Sequence, residues 1–274
     1  AAKLSRKKDT FTFKSKTGNL SFGIDMQSGA INALTVGKEQ VLASPLVLSL
    51  YRPATENDLS WDGRNRQWVE EGLDSISQRM TDMKFKNNRV TAETEILGRK
   101  GSVIGQATFT YFVNGEGTLA VECDFRPDTA VIKNLPRIGL VFSVPAQVAS
   151  TVTYLGRSGE TYVDRMSAGR IGKYTVKPVD DFYIYNKPGA AGNHTQVRWM
   201  DLDGANLKIS ADGLFQFSAY PYNDADIQRA QHQTDLTPGE LVTVHLDARQ
   251  TGVGTATCGP DVYPWYFIPV EQTK

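Results

Sequence analysis

The feature that most constrains this chain is short-range alternation of apolar and polar residues, cut into short runs by turn formers. Phe11-Thr12-Phe13-Lys14-Ser15-Lys16, Ala107-Thr108-Phe109-Thr110-Tyr111-Phe112 and Leu241-Val242-Thr243-Val244-His245-Leu246 each alternate with a period of two. A period of two puts successive side chains on opposite faces of a strand, so such runs predict sheets with one face inward. Between them lie Thr17-Gly18-Asn19, Asn114-Gly115-Glu116-Gly117 and Asp203-Gly204-Ala205-Asn206, where Gly or Asn reaches positive φ at little steric cost. The pattern predicts an all-β, antiparallel chain of hairpin-joined strands.

Helical spacing is scarce, with short candidates over Asn65–Leu73 and Asn223–Gln231. A (β/α)₈ barrel needs a helix after every strand, so that fold is excluded. The 274 residues suffice for one large all-β domain. The segment Arg126–Pro136 reads at most as a weak seam, and no composition shift demands a boundary there.

Thirty basic and thirty acidic side chains cancel, so neither nucleic acid nor an anionic membrane is an expected partner. No apolar run approaches the roughly 20 residues of a membrane-spanning helix. A neutral ligand such as a sugar suits this balance. Lys3, Arg6, Lys7 and Lys8 are not followed by an apolar stretch of signal-peptide length, and a chain starting without methionine reads as part of a longer one. Cytoplasm and periplasm both remain compatible. Cys123 and Cys258 are too few for a disulfide framework or a zinc site and read as free thiols.

Strand character lapses longest from Tyr51 to about Ser77, and a loop of that length in a compact domain usually carries function. Trp61 and Trp68 stand there among Arg52, Glu56, Asn57, Asp58, Asp62, Arg64 and Arg66. Two readings stand: a sugar-facing surface, or a staple of the loop onto the sheets, the commoner role for loop tryptophans.

The runs Tyr51-Arg52-Pro53-Ala54-Thr55-Glu56-Asn57-Asp58, Pro136-Arg137-Ile138-Gly139 and Tyr154 through Arg165 resemble, in order and spacing, the small-chain domain of family 2 β-galactosidases. Asn193–Trp199, Phe215–Ala219, His232–Leu236 and Gly252-Val253-Gly254 through Cys258-Gly259-Pro260-Asp261 extend the resemblance over nearly the whole chain. It implies a galactose-mutarotase-like β-supersandwich, residues 1–274, placed last in a retaining β-galactosidase whose catalytic glutamates lie in a barrel domain outside this chain. The implied role is to shape the rim of the sugar site and support that barrel, with no hydrolysis by this chain alone. The implied partners are a β-galactoside and the remaining domains of a homo-oligomeric parent. No cofactor is implied in this domain, only Mg or Na held by other domains.

Retaining hydrolysis needs two carboxyl groups about 5–5.5 Å apart. Glu70 and Glu71 are helix neighbours that do not share a face, and Asp180 and Asp181 in a strand would point to opposite sides. Both pairs read as solvated, and no catalytic or metal-ligating residue is assigned. The substrate-binding candidates are Arg52, Glu56, Asn57, Asp58, Trp61, Cys258, Gly259 and Tyr263. Two departures qualify the resemblance. Pro188-Gly189-Ala190-Ala191-Gly192-Asn193 stands where family members commonly carry Pro-Gln-Glu-Asn-Gly-Asn. Thr257, Cys258 and Gly259 stand where some members place a sugar-stacking tryptophan. Tyr263 or Trp265 is the nearest substitute, although Trp265 also reads as core. Cys258 reads as a small buried residue rather than a nucleophile. His194 and His232 read as loop anchors. If they were an acid/base set, the chain would be an aldose 1-epimerase; a stand-alone carbohydrate-binding module is the other alternative.

Overall fold

A computed structural model describes residues 3–7, 10–15, 19–86, 88–113, 117–183 and 186–270. The turn residues Thr17, Gly18 and Asn114–Glu116 lie outside the described residues. The chain divides into two compact units, 1–47 with 71–133 and 269–274, and 48–70 with 134–268. One crossing, between Lys133 and Asn134, falls inside the segment Arg126–Pro136.

The first unit is a two-sheet sandwich. One sheet runs in sequence order through β1 (Lys3–Lys7), β2 (Thr10–Lys14), β3 (Leu20–Asp25), β4 (Ile31–Val36) and β5 (Glu39–Gln40). After β6 (Val47–Ser49), the other is a meander of β7 (Ser77–Lys86), β8 (Arg89–Leu97), β9 (Val103–Val113) and β10 (Leu119–Pro127). All these hairpin pairs are antiparallel. Alternation works here as the sequence predicts: Val90, Ala92, Thr94 and Ile96 of β8 are buried between more exposed neighbours. Aromatic rings join the two sheets: Phe13, stacked on its cross-strand neighbour Phe22 at 4.8 Å, reaches Phe85 at 6.1 Å, and Tyr111 lies 6.4 Å from Phe22. The buried Tyr111 hydroxyl is satisfied by donating to the Gly29 carbonyl at 2.8 Å. Gly29 sits at φ +73° with Ala92 and Thr94 methyls only 3.1 Å from where a Cβ would stand, so that turn needs glycine.

The second unit is built on a seven-stranded sheet. After the short β11 (Asn134–Leu135) come β12 (Arg137–Pro145), β13 (Val152–Arg157), β14 (Ile171–Val176), β15 (His194–Leu202), β16 (Leu207–Tyr220) and β17 (Leu241–Gln250), in the spatial order β14-β13-β15-β16-β17-β12-β6. Its pairings β13·β14, β13·β15, β15·β16, β16·β17 and β12·β17 are antiparallel. The strand β17 departs from the half-exposed pattern read from Leu241–Leu246: Val242, Thr243, Val244 and His245 are all buried. A central strand covered on both faces loses the alternation in burial that an outer strand keeps.

Both helical candidates form, shorter than expected. Helix α1 (Glu56–Leu59) and helix α2 (Asn65–Glu70) occupy the long strand-free segment. The chain turns after α2 at Gly72, φ +82°. Past α3 (Pro178–Asp181), α4 (Asp224–Arg229) is capped by Asn223, whose Oδ1 accepts from the Asp226 amide at 2.8 Å. The α3 span corrects the strand expected at Asp180 and Asp181, and Asp181 is an internal partner of His194 rather than solvated charge. Proline at the first helical position pre-sets φ for a helical turn. No helix of the described residues is long and apolar enough to cross a membrane.

Candidate functional site

The sequence candidates converge on two loops of the second unit, 51–68 and 251–267. Thr55 starts α1 as its N-cap, accepting from the Asp58 amide, while Asp58 Oδ2 accepts from the Thr55 amide at 3.0 Å. Arg52, fully buried, clasps the same carboxylate with Nε at 3.1 Å and Nη2 at 2.8 Å. Its remaining donors reach the Thr251 carbonyl at 2.6 Å and the Gly252 carbonyl at 3.0 Å. The planar fork of arginine thus closes a contact between segments 200 residues apart in sequence. Asn57 makes the second tie, donating to the Gly254 carbonyl at 2.9 Å and accepting from the Thr257 amide at 3.0 Å and hydroxyl at 2.7 Å. Arg64 makes a third, with Asp261 at 2.8 Å and its guanidinium 4.0 Å above the Phe267 ring.

Arg52 and Asp58 are therefore interior and spent on each other, in place of the sugar-facing position expected for them. Glu56 and Asn57 reach a cleft. Trp61 is 90% exposed, and Trp68 is the staple, buried with its Nε1–H donated to Asn134 Oδ1 at 2.7 Å. Cys258 is exposed, which corrects the buried position read from its type. Gly259 closes the turn there by donating its amide to the Thr255 carbonyl at 2.8 Å. Trp265 is 70% exposed and not core. It stacks on Tyr263, itself exposed, with ring centroids 4.7 Å apart and planes 7° from parallel. The core reading rested on the size of the tryptophan; a 3₁₀ turn over Pro264–Tyr266 carries these residues and leaves the ring in solvent.

The cleft holds about 380 Å³ and is lined by Thr55, Glu56, Asn57, Glu160, Tyr162, Arg165, Tyr183, Lys187, Gly189, Ala190, Ala191, Val253 and Thr257. Glu160 and Tyr162 follow β13, and the Tyr162 hydroxyl donates to Glu160 Oε1 at 3.0 Å. Glu160 is exposed as a residue, but protein crowds its carboxyl; desolvation pushes its pKa up against the opposing hydrogen bonds from Tyr162 and Gly192. Asp164 accepts from the Val253 amide at 3.1 Å and the Gly254 amide at 2.9 Å, and Arg165 donates to the Gly254 carbonyl. Lys187 presents a buried Nζ that has no hydrogen-bond partner among the described residues. Desolvation lowers its pKa, opposed by the charge of Glu56. Glu56 Oε1 accepts from Asn186 at 3.0 Å.

Glu160, Tyr162, Arg165 and Lys187 were not singled out from sequence. The first three stand within the run ending Glu160-Thr161-Tyr162-Val163-Asp164-Arg165, where dense functional side chains in a short loop were the available signal. Lys187 offered none. No histidine lines the cleft. His194 is fully buried between the Tyr154 hydroxyl at 2.8 Å and Asp181 at 2.7 Å, with Phe217 stacked on its ring. His245 is buried with Arg137 donating to its Nδ1 at 2.7 Å, which leaves Nε2–H to face Asp224. His232 is 76% exposed beside Asp235. Among the described residues no group of three or more His, Cys, Asp or Glu is placed to hold a metal ion.

Residues 16–274 match the family described as β-galactosidase small chain. Over 272 residues the chain is 25% identical to the β-galactosidase of Actinobacillus pleuropneumoniae, covering 97% of this chain and 26% of that protein. The β-galactosidase of Pseudoalteromonas haloplanktis is 26% identical over 84% of this chain and 23% of its own. That of Lactobacillus delbrueckii subsp. bulgaricus is 30% identical over 62% and 17%. The chain thus spans about a quarter or less of the length of these relatives. Among solved structures, that of HI1317 overlaps 89% of this chain and 94% of its own at 12% identity, with a TM-score of 0.37, below the level at which a shared fold follows. With all but its first fifteen residues matched to one family model, the chain belongs to the β-galactosidase small chain family.

Proposed function

We propose that this chain, residues 1–274, works as the carboxy-terminal domain of a family 2 β-galactosidase that hydrolyses terminal β-D-galactose with retention. It shapes the rim of the sugar site and supports a catalytic barrel carried elsewhere in the parent. The carrying observation is the cross-tying of loops 51–68 and 251–267 by Arg52, Asn57 and Arg64 around an open polar cleft. Loops held by buried ion pairs and carbonyl contacts are pre-organised to present side chains to a ligand at low entropic cost. In this reading the catalytic acid and nucleophile belong to other domains, as do any Mg or Na ions.

The test is hydrolysis of an aryl β-galactoside by the chain alone, by a parent enzyme truncated before this domain, and by the two mixed. The expected result is no turnover by either part and turnover on mixing. Turnover by this chain alone, abolished by a point change within it, would overturn the reading.

A further inference from the structure

We propose that the cleft is itself a binding site for an uncharged monosaccharide, with Lys187 donating to and Glu160 accepting from its hydroxyls. The proposal rests on the reading of these loops as sugar-facing and deepens it by naming the residues and the ligand class.

Lys187 points to a ligand first. A lysine Nζ removed from water without an acceptor is costly, so such groups are retained where something else supplies the acceptor. Its nitrogen is buried and without a hydrogen-bond partner among the described residues, and its side chain lines the cleft. Glu160 lines the same cleft; its carboxylate accepts from the Tyr162 hydroxyl and the Gly192 amide, and two oxygens with about four lone-pair sites leave capacity for a ligand hydroxyl. Asn57 spends its Oδ1 on Thr257 and one amide proton on Gly254, so it serves mainly to hold the loops.

The balance of charge selects the ligand. Two carboxylates, Glu56 and Glu160, and two cations, Lys187 and Arg165, line one cleft. With two charges of each sign, the lining gives neither an anionic nor a cationic ligand a net attraction. A hydroxyl both donates and accepts, so a polyol satisfies both at once. The rest of the lining fits a pyranose. Tyr183, 66% exposed, offers a ring to an apolar sugar face, and Val253, Ala190 and Ala191 supply small apolar wall. The room comes from the run Gly189-Ala190-Ala191, whose side chains end at a methyl or less. A Cβ at Gly189 would stand 2.6 Å from the Ala54 carbonyl oxygen, so this stretch packs down onto the loop carrying Glu56. About 380 Å³ falls within the size range of small-molecule sites, roughly 300–1,000 Å³.

The experiment is isothermal titration of the 274-residue chain with D-galactose, D-glucose, D-galacturonate and D-galactosamine, repeated on Lys187→Met and Glu160→Gln after a thermal melt verifies that each is folded. The expected result is saturable binding of a neutral hexose at about millimolar concentration or tighter, weakened at least about 10-fold by either substitution. Absence of neutral-hexose binding to the folded chain overturns the proposal. So does binding that both variants leave unchanged, or tighter binding of the galacturonate or galactosamine than of the neutral sugars. The mixing experiment separates the two readings: a chain that restores hydrolysis but binds no sugar retains the rim role and loses this site, whereas one that binds sugar without restoring hydrolysis does the reverse.

Discussion

Arg52 and Asp58, six residues apart, form a two-pronged ion pair at 3.1 and 2.8 Å with the guanidinium wholly out of solvent. The carboxylate serves twice, closing the N-terminal cap of α1 and neutralising an arginine that also binds the Thr251 and Gly252 carbonyls. Removing one member strands the other in the interior. Arg52→Met should therefore destabilise the chain by about 3–5 kcal/mol in urea unfolding. The double variant Arg52→Met with Asp58→Leu should regain part of that loss, since no buried charge then stands alone. A cost below about 1 kcal/mol for Arg52→Met would contradict the pair's role.

The tryptophans divide by burial. Trp68 is 1% exposed and hydrogen-bonded to Asn134, so Trp68→Ala should cost about 3–5 kcal/mol. Trp265, 70% exposed with Tyr263 as its stacking partner, should tolerate alanine at a cost within about 1 kcal/mol. Paired chemical melts of the two variants check the difference, and equal costs would mean that Trp265 is buried in solution.

The cluster around Asp224 sets an acid limit. Burial pushes its carboxyl up, but His245, Arg137 and the Tyr220 hydroxyl outweigh that and hold it at about 2. An unfolded aspartate titrates near about 3.9. With the folded value depressed, the contribution of Asp224 to stability is complete above about pH 4 and is lost as pH falls through about 2. Urea midpoints at pH 6, 4 and 2.5 should fall across the lower interval, and Asp224→Asn should be weaker at pH 6 yet flatter between pH 4 and 2.5. A variant that keeps the wild-type slope would remove Asp224 as the source.

Much of the fold was legible. Alternation in Ala107–Phe112 placed β9, in which Phe109 and Tyr111 are buried, and the helical spacing over Asn223–Gln231 placed α4. The weaker readings involve residues whose surroundings come from elsewhere in the chain. Asp181 read as solvent-facing, yet it holds His194 thirteen residues on. Trp265 read as core from its size, yet its loop keeps both it and Tyr263 in solvent. Cys258 read as buried and is exposed. Of the candidates, Glu56 and Asn57 line the cleft, but its other charged members Glu160, Arg165 and Lys187 come from other loops and carry no periodic signal.

By itself the sequence determined the class of fold, because alternation and turn chemistry are properties of a few consecutive residues and bias the backbone before any long-range contact forms. It also determined the family, through runs spread over most of the chain. Only the tertiary structure decided which polar side chains are structural and which face a cleft. Arg52 is interior because Thr251 and Gly252, far along the chain, bring carbonyls to its donors, and Lys187 is left unsatisfied because no described neighbour brings it an acceptor. Burial and hydrogen-bond satisfaction are sums over neighbours in space, and sequence order does not contain them.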